Sequence, residues 1–148
     1  MTRPPIAWHS TLVCACLLLL WTARAQADFV VVKHVKNSTA KLSKDAVKGV
    51  FSGRTKTWAS GETIILVIGS EDSPAMSWLA ESLFGVSAKT YLSKLKQDVF
   101  KGDVAHPLSA DDDAKTIKRV QSGAGVVGLV SGDAAKALPP DVLPIAIE

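Results

Sequence analysis

The chain has only two cysteines, and both, Cys14 and Cys16, fall among its first 27 residues. Past that point no thiol remains, which excludes disulfide staples and thiolate chemistry from the rest of the chain. Histidine is nearly as scarce. Beyond the same boundary only His34 and His106 are left, far apart and without metal-ligand spacing, so neither imidazole catalysis nor a histidine metal site is indicated. Long apolar runs are missing too. The longest, Thr11 to Trp21, would reach about 16 Å as a helix, short of the roughly 20 residues that a bilayer core requires. No lysine stripe interleaved with aromatics is present, so nucleic acid is not an expected partner. There is no internal repeat and no long linker, which points to a single domain.

What is present begins with a secretory pattern. Arg3 supplies a positive start, Thr11 to Trp21 an apolar stretch, and Ala23, Ala25 and Ala27 the small residues that a signal peptidase reads. Residues 1–27 are expected to be a signal peptide, cut after Ala25 or, preferably, Ala27. The continued apolar run Leu17 to Leu20 argues against lipoprotein cleavage at either cysteine. Removal leaves residues 28–148 as the expected domain, without a stable membrane span and destined for the periplasm. That segment has 148 − 27 = 121 residues. Without Arg3 and Arg24 it holds 15 basic residues against 14 acidic ones, a net charge of +1. It is long enough to bury roughly two thirds of its unfolded surface.

Apolar periodicity alternates between strand and helix. Phe29 to Lys33 predicts a buried strand, and Ser43 caps a helix that turns Ala46, Val47, Val50 and Phe51 to one side and stops at Gly53. Thr63 to Ile68 predicts a second strand. From Ser73 and Pro74 the spacing of Met76, Leu79, Ala80, Leu83 and Phe84 predicts a helix closed by Gly85. Ser87 opens another, with Tyr91, Leu92, Leu95 and Val99 inward. Asp112 to Gln121 predicts a fourth, carrying Ala114, Ile117 and Val120 inward. Ala124 to Ser131 and Leu143 to Ile147 complete the strands, with Pro139 and Pro140 marking a turn between them. The pattern is α/β, a sheet flanked by helices.

Few residues invite chemistry. Asp111, Asp112 and Asp113 are consecutive, so their side chains diverge, and calcium loops space ligands at alternate positions; helix capping explains them better. The segment Gly69 to Pro74 joins a strand end to a helix start, where unpaired N–H groups and the helix dipole favour an anion. Its candidate contacts are Ser70, Ser73, Ala75 and Met76. The more expected role of Ser73 is to cap its own helix, since serine caps are common, and Glu71 and Asp72 would repel a phosphate. No catalytic residue, metal ligand or cofactor motif is identified, so an enzyme is the least expected class.

The order of motifs resembles a known family. Leu42-Ser43-Lys44-Asp45, Val50-Phe51-Ser52-Gly53-Arg54 and Trp58, then Val99-Phe100-Lys101-Gly102, Pro107, and Ser122-Gly123-Ala124-Gly125-Val126-Val127-Gly128-Leu129-Val130 are similar, in register, to stretches of the phosphate-binding proteins that serve phosphate ABC transporters. The resemblance spans Phe29 to about Ser131 and implies a type II periplasmic-binding-protein-like fold, here a single lobe with a mixed sheet. It implies phosphate or another small oxyanion as ligand and an ABC permease or other envelope protein as partner. In that family the anion motif on this lobe reads Arg-x-x-x-Ser-Gly-Thr. Here only Ser73 matches, with Gly69, Pro74 and Ala75 at the other three positions. A lost guanidinium removes contacts worth about 1.5 to 3 kcal/mol each, so the anion site is expected to be weak. An interaction module without a small ligand is the alternative expectation, and self-association of two lobes a third.

Overall fold

The computed structural model describes residues 28–148; the expected signal peptide and its cleavage sites lie outside them. The chain runs β1 (Phe29–His34), β2 (Lys41–Leu42), α1 (Lys44–Phe51), β3 (Ile65–Ile68), α2 (Pro74–Leu79), a π-helical turn (Ala80–Phe84), α3 (Ala88–Phe100), β4 (Leu108–Ser109), α4 (Asp113–Val120), β5 (Val126–Ser131), α5 (Gly132–Ala135), β6 (Val142–Pro144) and β7 (Ala146–Ile147). Five strands form one mixed sheet in the order β4-β3-β5-β1-β6, while β2 and β7 pair separately in parallel. β1 is antiparallel to both its neighbours, whereas β3 is parallel to β4 and β5.

Strand alternation divides the core into two layers. Val31, Leu66, Ile68, Val127 and Leu129 face α1, α2, the π turn and α3, where Val47, Phe51, Met76 and Leu79 are packed. Val32, Val67, Val126 and Val130 face the other way, against Val120 of α4. Full burial of a side chain such as Phe51 or Leu79 contributes about 1.5 to 3 kcal/mol, and a truncation to alanine removes that plus a cavity term.

The helix expected from Ser73 to Gly85 exists but changes pitch. Its last turn widens so that the Gly85 N–H reaches back to Ala80 O, and Gly85 then adopts φ 65, a conformation that favours glycine. Ala114, expected inward, is exposed. Thr116 is the buried residue instead. The reason is contact with β5: a Cβ on Gly128 would lie 2.7 Å from Thr116 Cγ2, so α4 is seated directly on a strand position with no side chain. Thr116 hides its hydroxyl by donating to Asp112 O at 2.9 Å. The expected last strand is broken into β6 and β7, since Pro144 ends the first pairing and Ile145 turns inward. Val99 is only half-buried, and its neighbour Phe100 is 94% exposed.

Candidate functional site

β3 and β5 run parallel and end side by side, at Ile68 and Ser131, and the antiparallel β1 begins beside them with Phe29 opposite Ser131. α2 and α4 both begin at this end of the sheet, with Ser73 and Asp112 at their N-cap positions, and Ser131 caps α5. A cavity of about 350 Å³ opens among these termini, lined by Phe29, Gly69, Ser73, Ala75, Met76 and the three aspartates Asp111, Asp112 and Asp113. Such a meeting of strand ends and helix starts is where open α/β sheets place ligands.

The candidate anion contacts fall here unevenly. Ser73, Ala75 and Met76 line the cavity; Ser70 does not, and lies exposed in a neighbouring cleft. Met76 is 2% exposed and committed to the core, so only its backbone could contribute. Ser73 is largely buried and stands at the N-cap with an extended backbone, yet its hydroxyl makes no cap bond. Capping therefore does not account for this serine, whereas Ser43, Ser87 and Ser131 do accept from the backbone of their own helices.

The position where the family resemblance places arginine is closed. A Cβ on Gly69 would stand 2.9 Å from Ser73 Oγ, 3.0 Å from Ser73 Cβ and 3.2 Å from the Ala110 carbonyl. Any side chain there would displace Ser73 itself. Among the described residues no lysine or arginine lines the cavity. Its charged groups are carboxylates with local duties: Asp112 accepts from Lys115 N at 2.7 Å, and Asp113 accepts from Ser131 N at 3.0 Å and Ser131 Oγ at 2.6 Å. The capping read from sequence for Asp112 is observed. The role of Asp113 in tying α4 to the end of β5 was not legible, because the two residues are 18 positions apart. Glu71 and Asp72 are exposed in the turn before α2.

Lys33 and His34 have local structural partners. Lys33 is buried, its ammonium donating to the Asn37 carbonyl, and desolvation pushes it below the usual lysine range. His34 accepts from Lys36 N at 3.1 Å, and His106 is exposed in the loop before β4. Among the described residues no group of three or more His, Cys, Asp or Glu is placed to hold a metal, and no helix is long and apolar enough to cross a membrane.

The sequence matches no protein-family model and no curated protein. The structure does have solved counterparts. An ABC-type phosphate transport receptor from Vibrio cholerae aligns with a TM-score of 0.60 at 18% identity, over 82% of this chain and 47% of its own. PstS from Borrelia burgdorferi aligns with a TM-score of 0.63 at 9% identity, over 82% of this chain and 47% of its own. A phosphate-binding protein from Stenotrophomonas maltophilia gives a TM-score of 0.58 at 17% identity, with 82% and 39% covered. The chain thus spans less than half the length of each. At identities this low the likeness is one of architecture: the chain has the α/β fold of periplasmic phosphate-binding proteins, over the extent of a single lobe.

Proposed function

We propose that this protein is an exported solute-binding or accessory module of the phosphate-transport-receptor type, acting in the periplasm once residues 1–27 are removed. One observation carries the reading. On a fold shared with phosphate receptors over 82% of the chain, Ser73 lines a cavity at the joint end of β3 and β5 and its hydroxyl makes no cap bond. Ser73 and the backbone of Ala75 and Met76 form a vestigial anion contact, to which Ser70, in the neighbouring cleft, does not contribute.

Magnitudes keep that contact weak. A helix terminus contributes at most about 2 kcal/mol, while even millimolar affinity requires about 4 kcal/mol. Three aspartates at the cavity wall and no cation oppose an anion further. Isothermal titration of the purified protein with phosphate is expected to give a dissociation constant in the millimolar range or weaker, raised further by Ser73→Ala. Saturable heat that Ser73→Ala abolishes would support solute binding, tighter than these magnitudes allow if it came at micromolar phosphate; no heat up to roughly tens of millimolar would end the solute-binding form of the reading.

The acidic lining favours a second reading, in which the same face docks on an envelope protein such as an ABC permease, or on a second copy, and takes no small ligand. Crosslinking followed by mass spectrometry would then recover peptides joined through Glu71, Asp111 or Lys89, all at this end of the sheet. Crosslinks confined to other faces would count against it. Neither reading assigns catalysis: the Asp113 carboxylate does accept from the Ser131 hydroxyl at 2.6 Å, but that hydroxyl also caps α5 by accepting from Ala134 N, so the pair ties α4, β5 and α5 together.

A further inference from the structure

On the flank of the molecule, away from the sheet end, a cavity of about 650 Å³ opens between the end of α1 and the middle of α3. Its walls are apolar: the half-buried Phe84, Val86 and Val104, backed by the core residues Phe51, Tyr91 and Leu95. Three features show that this wall is built rather than accidental. Tyr91 is locked by donating its hydroxyl to Phe51 O at 2.7 Å. Phe84 stacks on Tyr91 with centroids 5.2 Å apart and planes at 19°. Phe84 also ends the π-helical turn Ala80–Phe84, a rare local geometry found disproportionately at functional sites.

The rim supplies charge. Arg54, Lys56 and Lys94 stand against Asp98 and Asp103, three cations to two carboxylates. Lys94 is held by Asp98 at 2.5 Å. Arg54 is tethered through Nε to Ser52 Oγ at 3.3 Å, and neither it nor Lys56 forms an ion pair among the described residues. The volume and the apolar walls with a few polar groups match those of small-molecule sites.

We infer that this flank cavity is a binding site for a small amphipathic anion, a two-ring aromatic carboxylate or sulfonate. The rings lie against Phe84, which Tyr91 backs by stacking, and the acid group meets Arg54 and Lys56. The site is independent of the sheet end, so Ser73→Ala leaves it unchanged.

Fluorescence titration of the purified protein with anilinonaphthalene sulfonate tests this directly. One-site saturation is expected, with half-saturation on the order of tens of micromolar. Reversing both rim charges, Arg54→Glu with Lys56→Glu, alters exposed residues and is expected to weaken binding about ten-fold. Val86→Trp, which fills the cavity, is expected to abolish it, with circular dichroism confirming the fold. Phe100→Ser, at the exposed phenylalanine, is expected to change nothing. Non-saturating binding, an affinity indifferent to the rim reversal or to Val86→Trp, or loss of binding in Phe100→Ser would each overturn the assignment.

Discussion

Tyr91 shows how much one hydroxyl fixes. Its ring belongs to the core and its oxygen satisfies the carbonyl that closes α1. Burial pushes its ionisation well above the usual tyrosine value. Tyr91→Phe is expected to lower stability by about 1 to 2 kcal/mol at pH 7, because a buried carbonyl loses its donor. Since the folded state resists ionisation, the native tyrosine helps fully below pH 10, and its help fades as the unfolded chain ionises above that value. Urea unfolding of both proteins at pH 7 and pH 10.5 should therefore show the gap narrowing. Gly69 makes the opposite point. Gly69→Arg would restore the charge that the anion motif calls for, yet its Cβ would press on Ser73 and the Ala110 carbonyl. The expected result is a loss of about 1 to 3 kcal/mol from overpacking, and phosphate titration should show no gain in affinity. That arginine is missing can be read from the sequence. That the neighbouring serine has closed over its place cannot, because the contact depends on how the turn folds back.

Elements were legible wherever a period ran for eight residues or more. α1, α3 and α4 follow from their apolar spacing and serine or aspartate caps, and the caps are observed. Two-residue strands such as β2 and β4 carry no period and are set by pairing alone. The inward face of α4 holds at Ile117 and Val120 but was misread at Ala114 in place of Thr116, because threonine is a poor sign of burial and only a glycine on the facing strand lets Thr116 in. This predicts a coupling. Gly128→Ala should destabilise the protein by about 1 to 3 kcal/mol, and pairing it with Thr116→Ser, which removes the clashing methyl, should recover part of the loss. Thermal unfolding of the two single variants and the double variant measures that interaction, and strict additivity would refute the close packing of α4 on β5.

At the scale of the whole molecule, the α/β class and its near single-lobe size follow from alternation and length, while the sheet order does not. Nothing in the sequence says that the first strand lies between the fifth and the sixth. Phe29 faces Ser131 and His34 faces Val142, so β1 finds its partners only after about a hundred further residues. Closing so long a loop precedes any reward from the contacts it makes, which slows folding. It also sets an order of events. During synthesis, amino end first, the valine-rich segment Val30–Val32 stays bare until its partners Val127–Ser131 and Val142–Pro144 have followed. For that interval it offers an unprotected edge to any passing strand, and its safe keeping falls to whatever chaperone meets the chain there.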